Sequence, residues 1–284
     1  MTITVKLLGG LGNQLFQYAC ARNLADIHKT DLKIDVSGYD NEPNNRKYMM
    51  DYFNINASIT LPVELIPRNN IISNLIFKIY KPSNYFVEKH FHYDSSIEKL
   101  PNGSYLDGYW QSEKYFKRIE PIIRKELTVI TPPSAKNQKI IDKIKSCESV
   151  SLHIRRGDYV TNPKTNSLYG TCPPEYYESA IQQIKGKVKR PVYFIFSDDP
   201  EWIRSNMVTG YPQHVIDNNG IDDAHEDLRL MNCCRHHIIA NSSFSWWGAW
   251  LSNNPKKIVI APKKWFNNYH KDEQDIVPEK WVRI

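Results

Sequence analysis

The chain has 284 residues, 41% hydrophobic and 24% charged, which suits a soluble globular protein of two medium domains or one large one. A net charge of +6 fits a phosphate-bearing substrate or an anionic surface, but no lysine-arginine stripe marks a nucleic-acid footprint. Five cysteines without a Cys-x-x-Cys argue against a disulfide framework or a zinc site, and no apolar run nears the ~20 residues that span a bilayer.

Ile3 to Leu8 reads as a short apolar strand, Gly9 to Gly12 as a turn, and Asn13 to Lys29, free of Pro and Gly, as a helix. Leu32 to Val36 is the next strand, so the chain opens on a β-α-β unit. Residues 37–102 are rich in Asn, Tyr and Pro and read as short helices and loops. Ser104 to Tyr109 is a strand, and Glu113 to Leu127 a helix interrupted by Pro121. Ile130-Thr-Pro-Pro-Ser134 is the clearest linker, which puts the domains at 1–134 and 135–284.

The second half alternates more cleanly. Helix 135–146 leads to strand 149–155, followed by a polar loop with Pro163, Pro173 and Pro174. Then come helix 175–185, strand 191–196, helix 200–207, strand 213–216, helix 222–233, strand 237–240, a helix running through Leu251 and strand 258–261. Both halves therefore read as α/β, two doubly wound domains facing a cleft. The N-terminus runs straight into a strand with no secretory leader, so a cytoplasmic chain is expected. Its basic surface is compatible with peripheral contact with the inner membrane.

The most informative stretch is Val150-Ser-Leu-His-Ile-Arg-Arg-Gly-Asp-Tyr159. Val150, Leu152 and Ile154 share one strand face; Ser151, His153 and Arg155 share the other. A strand ending in Arg155 and Arg156 delivers guanidinium forks to the carboxyl edge of a sheet, where ligands of open α/β folds bind. Such forks suit phosphate. The plainer alternative is a surface turn in which Asp158 pairs with an arginine, Arg156 being the expected partner.

Gly9-Gly-Leu-Gly-Asn-Gln14 sits between strand and helix like a dinucleotide-binding turn, but Leu15 stands where the last glycine belongs. Asn13 and Gln14 could donate into a cleft, or Asn13 could cap its helix. Asn241-Ser-Ser-Phe-Ser245 follows an apolar strand and fits a phosphate seat at a helix start as well as ordinary capping. Asp198 and Asp199 end a buried strand and could accept from sugar hydroxyls, bind metal or cap the next helix. The acids between Asp222 and Asp227 look metal-like in composition, yet acids at a helix start also complement the dipole. No metal is expected. Trp246, Trp247 and Trp250 are read as core, with a non-catalytic sugar-binding protein as the competing class.

These pieces together resemble the bacterial α-1,2-fucosyltransferase family. The likeness is carried by Gly9-Gly-Leu-Gly-Asn-Gln-Leu-Phe-Gln-Tyr-Ala19, His153-Ile-Arg-Arg-Gly-Asp-Tyr159, Phe194-Ile-Phe-Ser-Asp-Asp199, Ile239-Ala-Asn-Ser-Ser-Phe-Ser-Trp-Trp-Gly-Ala-Trp-Leu251 and the closing Pro278-x-x-Trp281. The resemblance implies a GT-B-like fold of two Rossmann-like domains, an N-terminal acceptor-side domain and a C-terminal domain that binds GDP-L-fucose. It implies inverting transfer of L-fucose to the 2-hydroxyl of a terminal galactose on an oligosaccharide, without metal or cofactor. By position, Arg155 would grip the β-phosphate, and His153 and Asp227 would sit near guanine. Asp198 would lie in the nucleotide-sugar site, and Ser242, Ser243 and Phe244 would form the pyrophosphate seat. Asn13 would approach the fucose; no base for the acceptor hydroxyl is obvious, and Asp158 is the nearest candidate in sequence. A transferase of another nucleotide sugar is the alternative within the class. Acceptor contacts would be expected within 37–102.

Overall fold

Short apolar segments alternating with helices build two parallel sheets. The computed structural model describes residues 1–39, 46–60, 84–267 and 273–284. The chain divides into two units, Met1–Thr128 and Val129–Ile284. The linker-like stretch Ile130–Ser134 therefore begins the second unit.

In the first unit, β1 (Ile3–Lys6) is central. It pairs in parallel with β2 (Leu32–Asp35) on one side and β5 (Tyr105–Asp107) on the other; β3 (Ser58–Thr60) and β4 (Tyr85–Val87) flank them, in the order β3-β2-β1-β5-β4. Ile3 and Val5 are fully buried, as are Leu15, Phe16 and Ala19 of the helix Leu11–His28. Burial of that apolar stripe, more than helix propensity, holds the helix in place.

β3 and β4 lie in the stretch read as loops and short helices. Ser58-Ile-Thr60 and Tyr85-Phe-Val87 are too short to carry a period; pairing with β2 and β5 makes them strands. Residues 40–45 and 61–83 of that stretch lie outside the described residues. The expected helix 113–127 is also corrected. Glu113–Tyr115 and Lys117–Ile119 are 3₁₀ turns, and the α-helix is Glu120–Glu126. Pro121 stands in its first turn, where a missing N–H does no harm, so the helix starts there instead of running through.

In the second unit the order is β11-β10-β9-β6-β7-β8, all parallel: β6 (Glu148–Ile154), β7 (Pro191–Ser197), β8 (Gln213–Ile216), β9 (His236–Ile238), β10 (Val259–Ala261) and β11 (Val282–Arg283). From β6 the chain steps outward to β8, then returns to the other side of β6 as β9. The order reverses between β6 and β9, the crevice where open α/β sheets bind ligands.

β6 is covered on both faces. Val150, Leu152 and Ile154 pack on Tyr176, Ala180, Ile181 and Ile184 of the helix Pro174–Lys185. On the opposite side, Phe194, Phe196 and Ile216 of the neighbouring strands meet Ile141 and Ile144 of the helix Ala135–Lys145 and Leu230 and Met231 of the helix Ala224–Cys233. Ser151 and His153 are therefore buried as deeply as their apolar neighbours, as a central parallel strand requires.

The segment after β6, read as a polar loop, contains two short helices, Gly157–Thr161 and Pro163–Tyr169. Asn162 caps the second, its carboxamide oxygen accepting from the Lys164 and Thr165 N–H groups, with Pro163 at the first helical position. β11 has no apolar run to announce it; it forms by pairing with β10.

Candidate functional site

The carboxyl ends of β7, β6 and β9 lie side by side. β6 delivers His153, Arg155 and Arg156; β7 delivers Asp198 and Asp199; β9 leads through Asn241 and Ser242 into the helix Ser243–Leu251. These residues come together because the register sets Ile154 opposite Ser197, so both strands end at one level.

Arg155 lies between two carboxylates. Its Nη2 is 2.5 Å from Asp158 Oδ1 and its Nη1 is 2.8 Å from Asp198 Oδ2. Its guanidinium stands 5.3 Å above the Tyr159 ring. Burial alone favours the neutral form, but Asp198 and Asp158 outweigh it and hold the guanidinium charged above its usual range. The expected Asp158–Arg156 pair is not the one formed. Three residues on, in the first turn of helix 157–161, Asp158 reaches back to Arg155. Arg156 turns the other way, donating through Nε to Asp199 Oδ2 at 3.1 Å and stacking 4.0 Å over Trp202.

The two aspartates after β7 divide their roles. Asp199 caps the helix Pro200–Asn206, accepting from the Trp202 N–H. Asp198 faces the arginines, its Oδ1 accepting from the Arg156 N–H at 2.8 Å. Gly157 makes this possible. A Cβ there would overlap Asp198 Oδ2, so no side chain fits at that position without displacing the carboxylate.

His153 is 5% exposed, and its Nδ1 is buried without a hydrogen-bond partner. Burial, with the Arg155 charge behind it, pushes its imidazole down to about 3, so the ring is neutral. It lies 6.0 Å from the ring of Phe244, in the first turn of helix 243–251. Ser242 is the N-cap, in extended conformation, but its side chain makes no capping hydrogen bond. The capping alternative therefore does not hold for Ser242. Asn241 is committed elsewhere: its amide donates toward the carbonyls of Tyr169, Gly170 and Trp265, and its own carbonyl accepts from the Tyr159 hydroxyl. Trp246, Trp247 and Trp250 are core, as expected, at 0%, 0% and 3% exposed, which tells against the competing sugar-binding class built on them.

Asp227 belongs to a second group in the same unit. Asn219 Nδ2 donates to its Oδ1 at 2.6 Å. Asn137 bridges Asn219 and Glu226, and Arg229 pairs with Glu226 at 3.1 Å. Burial pushes the Asp227 carboxyl up to about 7, against the Asn219 hydrogen bond and with help from Asp223 and Glu226. Among the described residues no group of three or more His, Cys, Asp or Glu side chains is placed to hold a metal ion.

In the first unit the chain order reverses between β1 and β5, and the glycine turn lies at that point. Gly9 has φ +78, and a Cβ on it would approach Asn13 Nδ2 to 2.8 Å. Asn13 does not cap the helix, whose N-cap is Gly10; instead its Oδ1 accepts from Gln111 Nε2 at 2.9 Å. Gln14 does not donate into a cleft. It is 0% exposed, its amide holding the Gly9 and Lys47 carbonyls and accepting from the Met49 N–H. Sequence reasoning missed Tyr159, Asn219 and Gln111. Tyr159 stands four residues after Arg155 in a helical segment, a findable spacing; the other two carry no local signal.

A family model described as Glycosyl transferase family 11 matches residues 1–284. The chain belongs to this glycosyltransferase family. An Escherichia coli alpha-1,2-colitosyltransferase is 37% identical over 290 residues, covering 99% of this chain and 98% of the relative. The mouse galactoside 2-alpha-L-fucosyltransferase Sec1 is 23% identical over 290 residues, covering 99% and 73%. Among solved structures, the Bradyrhizobium NodZ alpha-1,6-fucosyltransferase soaked with GDP-fucose superposes with a TM-score of 0.53 at 15% identity, covering 91% of this chain and 94% of that one. The family 11 chain is thus α/β and GT-B-like, with two Rossmann-like units. No helix among its described residues is long and apolar enough to cross a membrane.

Proposed function

We propose that this family 11 glycosyltransferase moves L-fucose from GDP-L-fucose to the 2-hydroxyl of a terminal galactose on an oligosaccharide, with inversion. The observation that carries the reading is Arg155, held charged by Asp198 just past the end of β6, beside the strand that leads into helix 243–251 and at the point where the strand order reverses. Cleavage of the donor leaves charge on the diphosphate while the sugar becomes oxocarbenium-like. A fixed guanidinium and helix-start N–H groups meet that charge without a divalent ion. In this reading Arg155 holds the β-phosphate, Ser242, Ser243 and Phe244 seat the pyrophosphate, and Asp198 aligns Arg155. Neutral His153 and Asp227 read the base, and Asn13 acts on the transfer step. Asp158 is the base candidate nearest to Arg155 in sequence. No resident cofactor is called for.

The 37% identity to a colitosyltransferase favours one second reading, GDP-colitose as donor. Colitose is L-fucose without the 3-hydroxyl, so the two donors differ by one hydrogen-bonding group. A site built around that hydroxyl rejects the deoxy sugar strongly; a site that ignores it accepts both. Incubation with each donor and a panel of β-galactosides, reading linkage by NMR, tests both. An α-1,2-fucosyl product supports the first reading, colitosyl product alone the second. No transfer to any galactoside removes the galactose assignment.

A further inference from the structure

We propose that Asn219 is a positioning residue for base recognition: it holds Asp227 as an acceptor, so that the site selects a base with two adjacent donors. This rests on the reading of Asp227 as the base contact. Three segments far apart in sequence meet at this point. Asn137 comes from the helix Ala135–Lys145, Asn218 and Asn219 follow β8, and Glu226 and Asp227 belong to the helix Ala224–Cys233.

A carboxamide has a donating and an accepting end, and its partners decide which way it points. Here the decision starts at an ion pair. Glu226 is paired with Arg229 at 3.1 Å, so it meets Asn137 as an acceptor. Asn137 therefore turns its Nδ2 toward Glu226 Oε2, at 3.0 Å, and the same amide group donates to Asn219 Oδ1 at 2.9 Å. Asn218 Nδ2 donates to that oxygen as well, at 3.0 Å, and to Asn137 Oδ1 at 2.7 Å. With its oxygen between two donors, Asn219 can present only its Nδ2 to Asp227, and does so at 2.6 Å. Asn137 is 1% exposed, so a reversed amide would set buried N–H against N–H and oxygen against carboxylate. The Arg229–Glu226 pair thus sets, through two amides, the hydrogen-bond sense at Asp227.

That sense has a chemical consequence. A carboxylate has about four acceptor positions, and Asn219 uses one of them. What it offers a base is acceptance alone. Guanine presents N1–H and its 2-amino group side by side, and both donate. Adenine and cytosine set an amino group beside a ring acceptor, and uracil sets one N–H between two carbonyls. Each of these brings an acceptor against the carboxylate, a contact that costs affinity.

Calorimetric titration of the full chain with GDP, IDP and inorganic pyrophosphate, with a melt of each variant, tests the role of Asn219. IDP lacks only the 2-amino group, so wild type should prefer GDP by about tenfold or more, the scale of one hydrogen bond to a charged group. Two variants are needed. Asn219→Ala removes the donor to Asp227; Asn219→Asp keeps the shape and an oxygen for Asn137 and Asn218 but turns another oxygen toward Asp227. Both should reduce the GDP-over-IDP preference to within about twofold and leave pyrophosphate affinity at the wild-type level. Wild-type preference in both Asn219 variants, with the preference lost in Asp227→Asn, overturns the positioning role. Equal weakening of all three probes, with a lower melting temperature, makes Asn219 a structural link between the helices and overturns it too. Full GDP affinity and preference in Asp227→Asn overturns the reading of Asp227, and the inference with it.

Discussion

A lysine in place of Arg155 keeps one positive charge but cannot reach Asp158, Asp198 and a third oxygen with a planar fork. If that fork meets the departing diphosphate, Arg155→Lys lowers turnover at least about tenfold, near 1.4 kcal/mol of transition-state stabilisation. Initial rates at saturating donor check this; wild-type turnover in the folded variant would remove Arg155 from the chemistry. Asp227 offers a test with pH. Its folded carboxyl is raised from 3.8 to about 7, so the native state holds the proton more tightly than the unfolded chain. The stability this contributes is complete below 3.8 and is lost as pH rises through about 7. Asp227→Asn, a neutral isostere that can still accept from Asn219, should therefore melt higher than wild type at pH 8 and match it near pH 4. GDP affinity should move the opposite way. A carboxylate that accepts from guanine must be ionised, so wild type gains affinity from pH 6 to 8 while the variant binds weakly and without that slope. Melts and titrations across this range read both effects.

At the scale of elements, the strand ends do the positioning, and their backbone is as constrained as their side chains. Gly157→Ala places a methyl where Asp198 Oδ2 now lies, so Asp198 must leave Arg155. The variant should lose GDP affinity several-fold with a small change in melting temperature; a large melting drop with normal affinity would make Gly157 a packing residue only. Asn13, in the proposed reading, would separate binding from transfer. Its link to Gln111 joins the ends of β1 and β5 without capping the helix. Asn13→Ala should lower the transfer rate and leave GDP affinity within a few-fold, as expected for an interaction made mainly in the transition state. Parallel rates and titrations decide, and wild-type kinetics would leave Asn13 a structural bridge. These elements also set what could be read beforehand. The strands under His153 and Asp198 were legible because an apolar run such as Tyr193–Phe196 has no other place than a sheet interior. The partner of Asp158 was not. Adjacent arginines differ only in which way each side chain leaves the strand end, and Asp198, on a different strand, decides that by taking Arg155. β3 and β4 were illegible for the same reason: their state comes from neighbours distant in sequence.

For the whole molecule, if guanidinium and helix start supply the charge that balances the diphosphate, transfer should survive exhaustive EDTA treatment. Loss of activity restored by Mn²⁺ or Mg²⁺ would instead make a divalent ion the counter-charge. The α/β character and the reversal of strand order were legible from the alternation of elements after residue 135, but the contents of 37–102 were not, because short segments there lack periodicity. The strand order has a consequence for how the protein is made. β6 ends at Ile154, yet one of its two neighbours, β9, begins only at His236, and β11 closes the sheet at Arg283. During synthesis the central strand therefore emerges long before its second partner, with an open, strongly apolar edge. Contacts so distant along the chain make refolding slow and aggregation its natural competitor. The sheet that brings the two arginines to its edge is thus assembled around a strand that waits for its second neighbour.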